Sequence, residues 1–163
     1  DPSDVLPVIT FWLMGSFSGA TMKNLMTGGP FILIGTGILF LMRYRLNVLT
    51  LPEDEARTMG VNVRRDRFLV IFCSSLITAS IVSMCGVIGW VGLLIPHICR
   101  MLFGNNNSRV IPGCIVFGAL FMTCVDMVAR CASSAEIPVS ILTSVIGAPV
   151  FLFLLRKTGG IRV

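Results

Sequence analysis

Charged residues are scarce in this chain of 163 residues. Asp, Glu, Lys and Arg make up 13% of the sequence and hydrophobic residues 55%, whereas a soluble domain carries about 25% charged residues. Several uncharged apolar runs approach or exceed the ~18 residues that mark a membrane span. The scarcity of charge therefore argues against an ordinary soluble domain and predicts a polytopic membrane protein.

Signatures of metal, nucleotide and catalytic sites are missing as well. The six cysteines include no Cys-x-x-Cys pair and His97 is the only histidine, which argues against a metal site, a disulfide framework and a nucleophile–base pair. No Gly-x-x-x-x-Gly-Lys phosphate loop occurs, so the chain is not itself an ATPase. We therefore expect no metal, no bound cofactor and no catalytic residue in this chain.

Positive charge is present, but its distribution indicates orientation in a membrane rather than nucleic-acid binding. If the loops alternate sides, eleven of the thirteen Lys and Arg residues fall on one face, and only Lys23 and Arg130 fall on the other. Basic residues collect in the cytoplasmic loops of membrane proteins. We therefore place the arginine-rich face and the carboxyl end on the cytoplasmic side.

The apolar runs predict an all-α polytopic membrane protein that forms a single transmembrane domain over residues 1–163. The predicted spans are residues 25–42, 68–85, 86–101, 110–130 and 137–155, preceded by a short interfacial or re-entrant helix at residues 5–20. The sequence begins at Asp1 and shows no basic segment with a cleavage site, so no signal peptide is predicted. We expect the chain to be part of a longer polypeptide.

One long uncharged stretch must fold back on itself. Residues 68–99 contain no charged side chain, and as one helix they would extend about 48 Å, beyond the ~30 Å hydrocarbon core. Gly86 and Gly89 lie where a tight turn is favoured. The short second arm contains Pro96 and His97, so we expect it to rest against protein rather than lipid. We expect a structural role for His97, with its ring hydrogen-bonded to a freed backbone group.

An acidic stretch interrupts the apolar sequence between two predicted spans. Thr50-Leu51-Pro52-Glu53 fits a capping box, in which the threonine hydroxyl and the glutamate carboxylate cap each other's amides. Glu53, Asp54 and Glu55 crowd the first turn, where the helix dipole favours negative charge. Gly60 lies where a left-handed C-terminal cap is wanted. The pattern predicts a helix of about two to three turns outside the membrane. It is either a solvated loop helix or a docking helix with acids at its rim and Ala56 and Met59 on its apolar side.

Three long segments carry a family resemblance. They read "LNVLTLPEDEARTMGVNVRRDR", "GVIGWVGLLIPHICRMLFG" and "DMVARCASSAEIPVSILTSVIGAPVFLFLLRK". In this order and spacing they resemble the FecCD family of ABC transporter permeases, the membrane subunits of iron-chelate, haem and cobalamin importers. Family members are longer than this chain, which is similar to their C-terminal half. Where the family usually shows Gly-Glu-Glu, this chain has Pro52-Glu53-Asp54.

The resemblance implies roles for individual residues. It makes the acidic stretch a cytoplasmic coupling helix that docks on the ATPase, through Leu51, Pro52, Glu53, Asp54, Glu55, Ala56, Arg57, Met59 and Gly60. It makes Arg130 an outer-face contact for the substrate-binding protein. It assigns structural motif positions to Gly86, Gly89, Pro96, His97, Arg100, Asp126, Glu136, Pro138, Gly147 and Pro149.

Asp126 and Arg130 allow other interpretations. Their i, i+4 spacing lets them pair on one helix. Ions inside a membrane are costly and tend to be functional, so a proton or ion relay is a second interpretation. A structural pair and a docking contact through Arg130 are the two others.

The resemblance implies a transport function. We expect a permease subunit of an ATP-driven importer in the bacterial plasma (inner) membrane, for an iron-siderophore, haem, cobalamin or related metal chelate. Its expected partners are a second permease copy, a pair of ATP-binding-cassette ATPase subunits that hold ATP and Mg, an extracytoplasmic binding protein and membrane lipid, with no nucleic acid. The alternatives are an ion-coupled secondary transporter or channel that uses Asp126 and Arg130, and a scaffold without transport activity.

Overall fold

Helices are the only regular secondary structure in the part of the chain that its structure describes. The computed structural model describes residues 9–10, 12–17, 19–132 and 138–157. In chain order its helices are α1 (Met22–Leu41), α2 (Arg45–Val48), α3 (Glu53–Thr58), α4 (Val63–Cys85), α5 (Val91–Phe103), α6 (Asn107–Ala132) and α7 (Val139–Lys157). The predicted all-α architecture is confirmed.

These helices pack in two groups. In the first helix group, α1 lies against α4, and the short helix α3 packs on α4 as well. In the second helix group, α5, α6 and α7 contact one another. Helix α2 belongs in sequence to the first group but contacts α6 of the second. The short segment before the acidic stretch therefore lies where the two groups meet.

Among the described residues, three helices are long and apolar enough to cross a membrane, namely α1, α4 and α6. The carboxyl end of each helix lies within about two residues of the end of a predicted span, because charged or turn-forming residues follow the apolar runs. Helix α5 and the apolar segment Val139–Leu154 of α7 are shorter. The number of membrane crossings stays a prediction.

The predicted span over residues 86–101 differs from what is observed. Its helix begins only at Val91, because residues 86–90 form the turn after α4. The 13 residues of α5 extend about 20 Å, less than the ~30 Å of a hydrocarbon core. At residues 5–20, positions 9–10 and 12–14 are helical, and positions 15–17 and 19–20 are not.

Large apolar side chains cover the outer faces of the long helices. Leu33 and Leu41 of α1 are 75% and 79% exposed, and Phe68, Ile71 and Phe72 of α4 are each more than half exposed. A soluble domain rarely leaves so continuous an apolar surface in water. The exposed faces of α1 and α4 are suited to lipid or to further membrane helices.

Close contact between α1 and α4 depends on glycine. A Cβ atom at Gly35 would lie 2.7 Å from Cγ1 of Ile77, and one at Gly28 would lie 2.6 Å from the sulfur of Met84. Small residues of this kind let helix backbones approach in a membrane, where dispersion contacts replace the hydrophobic effect. The pair α1–α4 is therefore a tightly packed antiparallel hairpin.

The two ends of the bundle differ in chemistry. We call the end that holds residues 43–67 and 100–109 the arginine-rich end, and the end that holds residues 12–16 and 85–90 the opposite end. At the opposite end the amide of Ser16 donates to the carbonyl of Cys85, and the amide of Val139 donates to the carbonyl of Gly15, at 2.9 and 3.1 Å. Residues 12–16 therefore connect the two helix groups there through backbone hydrogen bonds.

Candidate functional site

The acidic stretch forms α3 at the arginine-rich end. Glu53, Asp54 and Glu55 occupy its first turn, and Arg57 lies in its last turn. Negative charge near the amino end and positive charge near the carboxyl end both interact favourably with the helix dipole. The predicted helix is confirmed, although with six residues it is shorter than expected.

The predicted capping box is wrong. The N-cap residue is Pro52, which makes no side-chain cap, and the Thr50 hydroxyl donates instead to the carbonyl of Asn47 at 2.7 Å. The reason is that residues 49–51 continue from α2 as a hydrogen-bonded turn, with the Leu51 amide donating to the carbonyl of Val48. Thr50 is therefore used at the end of α2 rather than at the start of α3.

The other end of α3 agrees with the prediction. Gly60 has a φ of +77° and donates its amide to the carbonyl of Arg57 at 3.0 Å, as a left-handed C-terminal cap does. Arg57 also pairs with Glu53 at 2.7 Å, one helical turn apart. The carboxylate of Glu53 is therefore already paired inside α3.

The faces of α3 differ in what they present. Ala56 is 1% exposed, and α3 packs on α4, so Ala56 does not face a partner as the sequence suggested. Met59 is 64% exposed and Leu51 38% exposed. Asp54 and Glu55 are exposed, and neither makes an ion pair with any residue that the structure describes. The free surface of α3 thus combines two unpaired acids with exposed apolar side chains.

A cleft of about 470 Å³ opens beside this helix. Its lining combines charged and apolar side chains from α3 and from the start of α4: Glu53, Arg57, Gly60, Val61, Asn62, Val63 and Arg64. The side chain of Asn62 accepts a hydrogen bond from the Arg65 amide at 3.2 Å and so caps α4. The helix, the cleft and the capped start of α4 form one continuous surface.

A buried acid lies behind this surface. Asp66, in the first turn of α4, is 2% exposed. Its Oδ2 atom lies 3.7 Å from NH1 of Arg45, which is an ion-pair distance, but it accepts no hydrogen bond from the described residues. The Arg45–Asp66 pair connects α2 to α4.

An asparagine network joins α2 to the start of α6. The Nδ2 atom of Asn47 donates to Oδ1 of Asn106 at 2.9 Å and to Oγ of Ser108 at 3.1 Å. The Oδ1 atom of Asn47 accepts from the amide of Asn107 at 2.7 Å. In return, Nδ2 of Asn107 donates to the carbonyl of Leu46 at 3.2 Å. Four hydrogen bonds thus link segments about 60 positions apart.

Two predicted motif residues, His97 and Gly147, lie where α5 meets α7. The rings of His97 and Phe151 lie edge to face with centroids 5.8 Å apart, and the ring of Trp90 lies edge to face with Phe151 at 6.4 Å. A Cβ atom at Gly147 would lie 2.9 Å from Cβ of Trp90. The predicted contact of the short arm with protein is therefore observed.

The expected hydrogen bond of His97 is not found. Its Nε2 atom is buried and lacks a hydrogen-bond partner among the residues described. The ring packs edge to face on Phe151 of α7 instead.

Asp126 and Arg130 form the predicted pair on α6. Nε of Arg130 lies 2.8 Å from Oδ2 of Asp126, and the two side chains are 62% and 29% exposed. The pair lies towards the carboxyl end of α6, away from the arginine-rich end. The charge of Arg130 is largely accessible.

The remaining motif positions are spread over the chain. Pro96 and Pro149 lie inside α5 and α7, and exposed Arg100 lies in the last turn of α5. Pro138 directly precedes α7, and Gly89 lies in the turn before α5. Glu136 lies outside the described residues. Within the described ranges no group of three His, Cys, Asp or Glu residues could hold a metal ion.

Sequence reasoning missed Asp66 and the asparagine network. The triplet at residues 105–107 before an apolar run is typical of a helix start, but nothing in the sequence connects it with Asn47. Asp66 stands between Arg65 and Arg67, so it resembled part of a solvated charged cluster. Only the packing of α2 between the two groups reveals both contacts.

Comparison with known proteins gives a consistent result. The sequence model of the FecCD transport family matches residues 2–157. The molybdate import system permease protein of Haemophilus influenzae is 46% identical, with 96% of this chain and 47% of that protein covered. The hemin transport system permease protein of Yersinia pestis is 38% identical, with 91% and 45% covered. The chain thus spans about half the length of the curated relatives it matches.

A solved structure shows the same fold. It is assigned to the metal-chelate type of ABC transporter and captured in an inward-facing conformation. It is 46% identical to this chain with a TM-score of 0.92, and the match covers 96% of this chain and 51% of that one. The arrangement of α1 to α7 is therefore that of an ABC transporter membrane subunit.

Proposed function

The chain belongs to the FecCD transport family, and from that premise we propose that it is the membrane-spanning part of an ATP-driven importer for a metal chelate. The observation that carries the proposal is the family match over nearly the whole chain, together with a free acidic helix at the arginine-rich end. In such an importer ATP would be hydrolysed by a separate ATPase subunit, which would hold ATP and Mg.

The exposed surface of α3 supports docking of the ATPase. Asp54 and Glu55 are exposed and form no ion pair within the described ranges, while exposed Met59 offers an apolar contact. Charges at the rim of an interface steer docking and orientation, and a buried apolar contact supplies affinity. The cleft of about 470 Å³ beside α3 offers a place for a partner side chain. We infer that α3 is the coupling helix and lies in the cytoplasm.

The opposite end suits the extracytoplasmic binding protein. Arg130 is mostly exposed, and its guanidinium can offer a charge-assisted contact to an acid on that partner. The apolar outer faces of α1 and α4 fit lipid and further helices, including a second permease copy. We infer a multi-pass protein of the bacterial inner membrane with the arginine-rich end inside.

Two substrate classes are proposed. Relatives that import hemin, cobalamin and iron chelatin favour a bulky metal chelate. The 46% identity with a molybdate permease favours a second candidate, a small tetrahedral oxyanion. Selectivity is expected to lie mainly in the binding protein that delivers the substrate.

Reconstitution of the complete importer tests both classes. The full-length permease, its ATPase and its binding protein are placed in liposomes, and uptake of ferric chelate, hemin, cobalamin and molybdate is measured with ATP inside. We expect one of these to accumulate only when ATP and the binding protein are both present. Uptake that continues without ATP, or that follows an ion gradient through Asp126, would refute the proposal.

A further inference from the structure

The asparagine network joins the segment next to the acidic helix to the second helix group, which α3 itself does not contact closely. Helix α3 packs on α4, so any movement of α3 reaches the first helix group directly. The second helix group lies against α2, which precedes α3 by only the turn at residues 49–52. A connection through α2 would deliver the same movement to α6.

We propose that Asn47 is a positioning residue that fastens the flank of the acidic helix to the amino end of α6. This inference rests on the proposed function, because it assigns to Asn47 a part in coupling ATP hydrolysis to transport. This role requires no contact of Asn47 with substrate or nucleotide. It acts by holding two helix ends together.

The chemistry of the contact is reciprocal capping. The first amides of a helix and the last carbonyls of a helix have no partner within their own helix. Asn106 caps α6 by accepting from the amide of Ser108 at 3.0 Å, and Asn47 accepts from the neighbouring amide of Asn107 at 2.7 Å. Asn107 in turn donates to the carbonyl of Leu46 in α2. Each helix end satisfies groups of the other.

The contact also uses the full capacity of the Asn47 side chain. Its amide nitrogen makes two donations, to Asn106 and Ser108, and its oxygen accepts one hydrogen bond. An asparagine amide offers two donor hydrogens, and no other neutral side chain of this length presents donor and acceptor in this way. Replacement by alanine would remove three hydrogen bonds and leave the amide of Asn107 unpaired in a partly buried place.

The turn provides a matched control. Asn105 lies in the same run of three asparagines, is exposed, and makes no side-chain hydrogen bond with the described part of the chain. Asn105→Ala therefore changes composition and charge exactly as Asn47→Ala does without touching the contact. Ser108→Ala removes one accepting partner of Asn47, keeps the Asn106 cap of α6, and completes a double-mutant cycle with Asn47→Ala.

The experiment uses the complete reconstituted importer and measures molecules imported per ATP hydrolysed. We expect Asn47→Ala to lower this ratio by about three- to tenfold, the range for one element of a coupling network, and Asn105→Ala to leave it unchanged. In the cycle, Ser108→Ala should add little once Asn47 is gone. A ratio that stays constant in Asn47→Ala, even where less folded complex is recovered, would overturn the inference.

A second measurement separates this inference from the proposed function. Hydrogen–deuterium exchange of the peptide spanning residues 104–110 reports the amide of Asn107, and Asn47→Ala should speed its exchange by about tenfold. Unchanged exchange would show that Asn47 does not hold α6. Absence of ATP-driven import by the unsubstituted complex would instead refute the proposed function, and the exchange result would still decide whether Asn47 fastens the two helix groups.

Discussion

Gly86 shows how a single position fixes the path of the backbone. It ends α4 with φ +72° and ψ −165°, a combination that is essentially restricted to glycine. A Cβ atom there would collide with the carbonyl oxygen of Trp12. The turn to α5 and the approach of residues 12–16 both depend on this one missing side chain.

Substitution of Gly86 should therefore destabilise the fold. We predict that Gly86→Ala lowers the free energy of unfolding by about 1–3 kcal/mol, from strain at the backbone and the clash with Trp12. Gly89→Ala is the control, because a Cβ atom at Gly89 meets no described atom within 4 Å. The stability of each variant is measured as the unfolding midpoint of the purified permease in detergent. Equal midpoints for the two variants would contradict this account of the turn.

Arg130 carries an accessible charge at the end of its helix. Its pairing with Asp126 at 2.8 Å leaves the side chain 62% exposed, so a docking role and a structural role remain separable. We predict that Arg130→Glu lowers binding-protein docking and import, and that an acid-to-Arg change on the partner restores part of both. Asp126→Asn should leave docking largely intact, because an exposed i, i+4 pair contributes only about 0.3–0.5 kcal/mol.

Docking affinity at several salt concentrations checks this prediction, since salt screens rim contacts. If Arg130→Glu and Asp126→Asn reduced folded protein alike while docking of the remainder stayed normal, the pair would be structural and the docking assignment wrong.

The acidic helix is held by one buried face and presents another. Ala56 is 1% exposed and lies on the face packed on α4, whereas Met59 is 64% exposed and is accessible to a partner. We predict that Ala56→Leu, which overfills the contact with α4, costs about 1–3 kcal/mol of stability. Met59→Ala should change stability by less than about 0.5 kcal/mol and yet weaken ATPase binding. Thermal unfolding and ATPase affinity, measured on the same samples, distinguish these effects; a stability loss in Met59→Ala would contradict the assignment.

Local signals made some elements predictable. The carboxyl ends of α1, α4 and α6 follow from apolar runs that end at charge or turn residues, whereas each helix begins three to five residues before the predicted span. Gly60 has the positive φ expected of a C-terminal cap, and Gly86 lies in the expected turn. The start of α3 was harder, because Thr50 matched a capping pattern but bonds backwards to Asn47. The Thr50 hydroxyl could cap α3 or bond within the turn that follows α2, and in the structure it bonds within that turn.

Contacts between distant elements were not predictable in the same way. The ring of His97 lies on Phe151, 54 positions later, and Asn47 bonds to residues about 60 positions later. No local propensity encodes such pairs, since they depend on how helices pack. The resemblance to a family pointed to the acidic helix, but it did not indicate that α2 is fastened to α6.

The whole molecule has one basic end and a largely apolar outer surface. This distribution predicts a sidedness that cysteine labelling can check. In a cysteine-free full-length permease, Asn62→Cys and Asn105→Cys should react with a membrane-impermeant maleimide only from the cytoplasmic side, and Lys23→Cys only from outside. All three positions are exposed, and their side chains lie outside the Asn47 contact. Labelling of Lys23→Cys and Asn62→Cys from the same side would refute the proposed topology.

The central claim is that this membrane domain is driven by an ATPase docked on α3, and charge reversal of its free acids tests that claim most directly. In the complete reconstituted importer, Asp54→Lys combined with Glu55→Lys leaves the Glu53–Arg57 pair in place. We predict that import and binding-protein-stimulated hydrolysis both fall at least about tenfold, as ~1.4 kcal/mol of lost docking energy would produce. For the neutral combination of Asp54→Asn and Glu55→Gln, import and stimulated hydrolysis should lie between the values for the charge-reversed and the unsubstituted complex. Import and stimulated hydrolysis that remain unchanged in the reversed variant, with normal insertion, would contradict the account.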